Sequence, residues 1–205
     1  MKAYMDEIGS PMGQVDFATD EEGSFLGLRF REGRYHETLE EELERAGFDL
    51  VARGAQTFRR TTGAREQLVE YFAGERRSFD LEVARKGSDI EEAVWEEISR
   101  IPFGQTRTYG QVSEAIGGMA SAVEVGKACA ANPVLLVVPC HRVVGAAGSL
   151  KGYAGGIRLQ ERLLAFESSL DPDGPRHHFF EKPGIDDPIN IQPTGEAKVK
   201  PYQVK

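Results

Sequence analysis

Three helix-start signatures in close succession constrain this chain more than any other feature. Ser88 with Glu91, Thr108 with Gln111 and Ser121 with Glu124 each set a hydroxyl three residues before a Glu or Gln. In that arrangement each side chain satisfies an amide that a helix start leaves unpaired. The first signature predicts an amphipathic helix through Val94, Trp95, Ile98 and Ile101, ended by Pro102. The second opens a helix that must finish at Gly117 and Gly118, and the third opens a short helix of small residues that ends before Asn132 and Pro133. Two short helices joined by a glycine turn fit a helix-turn-helix, although many helical domains contain such a pair.

The preceding residues follow a different period. After a turn at "SPMG", Val15 and Phe17 alternate with polar neighbours, and Leu26, Leu28 and Phe30 alternate again, the pattern of half-buried strands in a short antiparallel sheet. "YHETLEEELERAG" is helical in composition but thinly apolar, whereas "GAREQLVEYFAG" repeats Ala64, Leu68 and Phe72 on one face and stops at Gly74. "RSFDLEVARKGSD" connects this part to the run of helix starts. Beyond them, "PVLLVV" predicts a buried strand, or a buried helical turn of the same length. "GAAGSLKGYAGG" is a backbone-exposing loop, and "IRLQERLLAFE" an amphipathic helix through Leu159, Leu163 and Phe166. The fold class expected is α+β, with a small α/β domain over 1–86, a helical domain over 87–167 and an extended or disordered tail over 168–205.

At 205 residues the chain can bury a core without a staple. Its two cysteines, Cys129 and Cys140, with no secretory signal ahead of them, predict a reducing, cytoplasmic setting. A nuclear one would apply in a eukaryotic host. No apolar stretch approaches the roughly 18 residues of a spanning helix, so no membrane role is expected. The net charge of −8 argues against non-specific polyanion binding by the chain as a whole. The acidic excess lies largely in the first half, where a solvated surface explains it.

"VVPCHRVV" concentrates the chemistry. A thiolate is a reactive nucleophile and an imidazole can accept its proton, so Cys140 and His141 are a candidate pair. Adjacent side chains rarely face each other, however. His141 would reach Cys140 through a turn or a bridging water, with a carboxylate fixing its other nitrogen. A buried structural cysteine beside a satisfied histidine is the competing reading. Zinc is not expected, because a site needs three or four suitably spaced ligands and His36, His177 and His178 lie in segments that read as surface or disordered, and Cys129 lacks the spacing of a redox pair.

"IPFGQTRTYG", "NPVLLVVPCHRVV", "GYAGG" and "LLAFE", in that order, resemble the O6-alkylguanine-DNA alkyltransferases, also called methylated-DNA-protein-cysteine methyltransferases. The resemblance is dense from about Ile90 to Glu167 and diffuse from Asp6 to Phe79. It implies a ribonuclease H-like α/β domain packed on a helix-turn-helix, winged-helix-like domain, and a monomer that repairs alkylated double-stranded DNA without metal or cofactor. Cys140 would take the alkyl group from guanine O6, or from O4 of an alkylated thymine, once and irreversibly. His141 would act as its base through a water, Glu167 would orient His141, and Asn132 would brace the turn before the active-site strand. The flipped base would meet Tyr109, the carbonyls of Cys140 and Val143, the amide of Ala154, and a wall of Tyr153, Gly155 and Gly156. Ser121, Ala122, Val123 and Lys127 would face DNA. A non-catalytic relative that binds alkylated bases and recruits other factors is the alternative, and a different cysteine-dependent acyl or thiol enzyme is a third.

One position departs from the family. The helix opened at Ser121 usually carries an arginine that enters the base stack, and here the matching residue is Val123, with Ala130 where a basic residue is common. From Arg100 to Glu167, seven Lys or Arg stand against four Glu, a local balance of +3. Alkyl transfer with weakened duplex binding or flipping is therefore expected.

Overall fold

A computed structural model describes residues 1–84 and 87–170. Strands β1 (Lys2–Ser10), β2 (Gly13–Thr19) and β3 (Phe25–Phe30) form an antiparallel meander, turned first at "SPMG". Helix α1 (Leu39–Arg45), capped by Thr38 and Glu41, leads to β4 (Asp49–Val51), which pairs parallel to β1. The sheet, in order β3-β2-β1-β4, is therefore mixed, where alternation alone predicts an antiparallel one.

The expected Leu26, Leu28, Phe30 face is also broken. Thr19 pairs with Phe25 but Ala18 with Gly27, so Leu26 is the extra residue of a bulge. Phe25, Leu28 and Phe30 join the main core, while Leu26 turns to the other side, against Ala18, Leu39 and Leu43. Several acidic residues here are not a solvated surface. Asp6, Asp16 and Glu42 are each under a tenth exposed and are paired with Arg65, Arg31 and Arg29.

Helix α2 (Ala55–Phe72) begins well before the segment that composition marks out and ends, as expected, just ahead of Gly74. It lays Ala64, Leu68 and Tyr71 across the sheet. The three capping signatures all form, on α3 (Asp89–Ser99), α4 (Tyr109–Ala115) and α5 (Ala122–Ala130). Trp95 of α3 donates its indole N–H to the Ala128 carbonyl of α5 at 2.9 Å, and Gly117 and Gly118 turn the chain between α4 and α5 in left-handed conformations. Two-residue strands β5 (Arg107–Thr108) and β6 (Val143–Val144) pair in parallel, and α6 (Ile157–Leu170) packs Leu159, Leu163 and Phe166 into the core. This helix carries Ser168–Leu170, which moves the start of the expected tail. The remainder of that tail, 171–205, lies outside the described residues. Among the described residues no helix is long and apolar enough to cross a membrane.

"PVLLVV" is neither the strand nor the helical turn expected of it. Val134 to Val138 form a tight buried turn with Leu136 at φ 72° and a Val138 N–H to Val134 carbonyl bond of 3.0 Å. The edge of β3 covers the start of this turn: Leu28 N–H and Arg29 Nη1 both donate to the Pro133 carbonyl, at 3.0 and 3.1 Å. A Cβ on Gly27 would lie 2.6 Å from the Leu39 side chain and 3.4 Å from that carbonyl, so a larger residue there would have to push Leu39 aside. The two halves of the chain thus meet at the segment that delivers Cys140.

Candidate active site

The Val134–Val138 turn ends at Pro139, and Cys140–Arg142 form a single 3-10 turn. A one-residue step of about 120° in such a turn sends successive side chains different ways. Cys140, His141 and Arg142 are all buried, Cys140 against Asn132 and both His141 and Arg142 against Glu167.

Cys140 is 2% exposed. Asn132, directly after α5, donates its Nδ2 to the Cys140 Sγ at 3.2 Å and to the Val138 carbonyl at 2.8 Å, while its Oδ1 accepts from the Val134 amide at 3.0 Å. One amide side chain therefore fixes the turn and touches the thiol. Burial pushes the Cys140 thiol up to about 11, against the downward pull of the Asn132 hydrogen bond and the Arg29 charge. At neutral pH the sulfur is a thiol and needs a base to become a nucleophile.

His141 is hydrogen-bonded to Glu167 and not to Cys140. Its Nε2 lies 2.8 Å from Glu167 Oε1, and its Nδ1 is buried without a hydrogen bond to the protein. Burial pushes the His141 pKa below its ordinary value, outweighing the pull of the Glu167 charge. Burial raises the Glu167 carboxyl, but His141 and Arg142 outweigh it and hold the group well below the usual carboxylate range. An ionised Glu167 can only accept, so Nε2 carries the proton and Nδ1 presents a lone pair.

Glu167 is a hub that sequence reasoning understates. Besides His141, Oε1 accepts from the Tyr71 hydroxyl at 2.7 Å and Arg142 Nη2 at 2.9 Å. Oε2 accepts from the Gly104 amide at 2.9 Å and Arg142 Nε at 3.0 Å. Arg142 in turn donates Nη1 to the Ile101 carbonyl at 2.7 Å. Tyr71 and Arg142 were not foreseen in this role. Arg142 follows the Cys-His pair directly, but Tyr71 lies in an ordinary-looking amphipathic helix and only the tertiary fold brings it here.

Several residues expected to meet a flipped base lie in the loop 145–156 or bond to it. Tyr109, at the start of α4, donates its hydroxyl to the Lys151 carbonyl at 2.8 Å, and burial pushes its pKa up to about 12. The Cys140 carbonyl accepts from the Val143 amide, and the Val143 carbonyl from Gln160 Nε2 at 3.0 Å. Each carbonyl keeps a second lone pair for a ligand. Tyr153 is buried with its hydroxyl unpartnered, Ala154 is half-buried, and Gly156 donates to the Tyr153 carbonyl at 2.9 Å. A Cβ on Gly155 would lie 2.6 Å from Leu159 and 2.9 Å from both the Tyr153 ring and the Tyr35 hydroxyl. Among the described residues no three His, Cys, Asp or Glu side chains gather where a metal ion could be held.

On α5, Ser121, Ala122, Val123 and Lys127 are all exposed, Val123 at 70%. Val123, Lys127 and Ala130 follow one another at helical spacing on the solvent side, and Glu124 is held back in its cap on Ser121. Val125, Ala128 and Cys129 face inward.

A buried thiol, an imidazole with a free ring nitrogen and a carboxylate hub lie behind two short helices joined by a glycine turn, the groups that cysteine-nucleophile chemistry requires. Residues 89–169 match the model of the 6-O-methylguanine DNA methyltransferase DNA-binding domain. Over 166 residues the chain is 40% identical to the methylated-DNA–protein-cysteine methyltransferase of Methanosarcina acetivorans, covering 81% of this chain and 99% of that one. The protein of that name from Mycolicibacterium paratuberculosis is 48% identical over 110 residues, 54% of this chain and 67% of its own. The crystal structure of Mycobacterium tuberculosis O6-methylguanine methyltransferase superposes with a TM-score of 0.68 at 37% identity, over 83% of this chain and 96% of the other. Another structure of that protein, in complex with DNA, gives 0.68 at 37% identity over 82% and 94%. The chain belongs to the methylated-DNA–protein-cysteine methyltransferase family.

Proposed function

We propose that this protein repairs O6-alkylguanine in duplex DNA by moving the alkyl group to Cys140 in a single, irreversible turnover. The observation that carries this reading is the arrangement around the thiol: Asn132 on Cys140 Sγ, and His141 held by Glu167 with Nδ1 left basic. A bridging water passes the Cys140 proton to His141 Nδ1, and the imidazolium is stabilised by Glu167 through Nε2. The thiolate attacks the alkyl carbon in line. The S–C bond forms as the C–O6 bond breaks, and guanine leaves with its electron pair on O6, where the Ala154 amide and proton return neutralise it.

The alkylated carbon lies inside the duplex, so the nucleotide must be extruded to reach a buried sulfur. Tyr109 then exchanges the Lys151 carbonyl for the base or its phosphate, while the carbonyls of Cys140 and Val143 take the exocyclic amine. Tyr153, Gly155 and Gly156 form the wall, and Ser121, Ala122, Val123 and Lys127 face DNA. In this reading 1–86 is a ribonuclease H-like scaffold and 87–167 a winged-helix-like DNA-binding unit. The protein acts as a cytoplasmic monomer, and O4-alkylthymine falls in its range.

Incubation with an oligonucleotide bearing O6-methylguanine, followed by intact-mass measurement, tests the proposal. A stoichiometric gain of one methyl, mapped to Cys140 and absent from Cys140→Ser, is expected. Retarded DNA without any mass change would replace it with a non-catalytic binding role.

A further inference from the structure

We propose that Tyr71 is a positioning residue for alkyl transfer: its hydroxyl, delivered from α2 in the first half of the chain, sets how strongly Glu167 pulls on His141. The inference rests on the alkyl-transfer reading above, and it concerns a residue that touches neither the thiol nor the base.

Glu167 Oε1 accepts from Tyr71 at 2.7 Å, His141 at 2.8 Å and Arg142 Nη2 at 2.9 Å. All four groups are buried, so no bulk water takes over a lost donor. Three residues share one oxygen, Arg142 through both Nη2 and Nε, and each withdraws negative charge from the bond to the others. With the Tyr71 hydroxyl gone, the carboxylate charge falls more fully on His141. That stabilises the imidazolium and raises the pH at which His141 becomes the neutral acceptor that Cys140 needs. Tyr71 thus tempers the pull of Glu167, so that His141 is neutral at rest.

The remaining groups around these atoms do not replace it. Arg142 is fixed to both Glu167 oxygens and to the Ile101 carbonyl, and the Gly104 amide serves Oε2. Cys140, Asn132, Arg29 and Tyr153 lie toward the thiol end. The ring of Tyr71 is locked by an aromatic cluster, with ring centres 5.3 Å from Phe79 and 5.8 Å from both Phe103 and Phe166. The hydroxyl therefore has one direction in which to donate.

Tyr71→Phe keeps the ring and removes only the donor. The rate of methyl transfer from an O6-methylguanine duplex is measured against pH in single turnover, beside an NMR titration of the His141 ring. The acidic limb of the rate profile and the His141 titration should both move up by about one pH unit, with the high-pH rate nearly unchanged. A ring-fluorinated tyrosine at position 71, a stronger donor, should move both downward without disturbing the packing. An unmoved limb and titration in both variants, in a wild-type background that does transfer methyl, would overturn the proposal. If the wild-type protein transfers nothing, the alkyl-transfer reading fails, and the His141 titration alone decides whether Tyr71 acts on the relay.

Discussion

Replacing Asn132 with alanine separates the two tasks that its amide performs. The side chain is 1% exposed, and its Oδ1 is the partner of the Val134 amide at the base of the buried turn. Leaving that donor unpaired costs about 1–3 kcal/mol. The Val138 carbonyl loses Nδ2 but keeps the Cys140 amide at 2.8 Å, so it adds little. For a chain of this size a loss of that order lowers Tm by roughly 2–12 °C. The second task is chemical. Nδ2 bonds Sγ at 3.2 Å, and a hydrogen bond to a charged acceptor contributes about 1.5–3 kcal/mol. It strengthens as the thiol becomes a thiolate, so its removal should slow methyl transfer by roughly tenfold to a hundredfold.

The assay is a single-turnover time course at saturating O6-methylguanine duplex, quenched and read by intact mass, alongside a thermal melt. Asn132→Asp adds a discriminating arm. It keeps an acceptor for the Val134 amide but sets a carboxylate against the sulfur, so its rate should fall below that of the alanine variant. If Asn132→Ala melts lower yet transfers methyl at the wild-type rate, the amide serves the turn alone and the thiolate argument is wrong.

Three further outcomes follow from the same geometry. His141 has a lowered pKa in the fold, so below its ordinary value of 6.5 the unfolded chain binds the proton first and stability falls. Glu167, also lowered, adds a second loss below about 4.5. Melting curves from pH 8 to pH 4 should show both declines, and His141→Gln should remove the first. Gly155→Ala should clash with Leu159, Tyr153 and Tyr35, slowing transfer and costing about 1–3 kcal/mol in chemical denaturation. Val123→Arg, at an exposed site, should leave Tm nearly unchanged while steepening the salt dependence of duplex binding by about 0.9 in log–log slope for one new phosphate contact.

Local signals in the sequence predict local structure here, and fail where tertiary contacts decide. The capping residues Ser88, Thr108 and Ser121 act within their own first turns, so each helix start is written in four residues. The Cys140, His141 and Glu167 assignments are legible only through the family resemblance; the fold adds that His141 Nε2 lies 2.8 Å from Glu167 Oε1. The turn at Val134–Val138 was not, because a continuous apolar run reports burial and not conformation. What bends it is Asn132, bonding forward across six residues, together with the β3 edge on Pro133. Leu26 misleads for a similar reason: alternation assumes an unbroken ladder, and a bulge shifts the face without changing composition. Tyr71 is invisible in sequence because nothing in α2 distinguishes a core tyrosine from one whose hydroxyl serves a carboxylate 96 positions away.

The same distinction separates the chemistry of this protein from its hold on DNA. Cys140, His141, Asn132 and Glu167 are at most 2% exposed and bound by the protein's own groups. The exposed stripe of Val123, Lys127 and Ala130 is fixed by no such contact, and its residues can vary without disturbing the thiol. On the proposed function, an apolar Val123 in place of an inserted cation would act on how often an alkylated base reaches Cys140, and would leave intact what the sulfur does once it arrives. Two substrates distinguish these effects. With O6-methylguanine in a duplex, Val123→Arg should raise the transfer rate. With the free O6-alkylguanine base, which needs no flipping, wild type and Val123→Arg should react equally, whereas Asn132→Ala should be slow with both. An equal gain for Val123→Arg on free base and duplex would mean that α5 acts on the thiol itself, and the separation would fail.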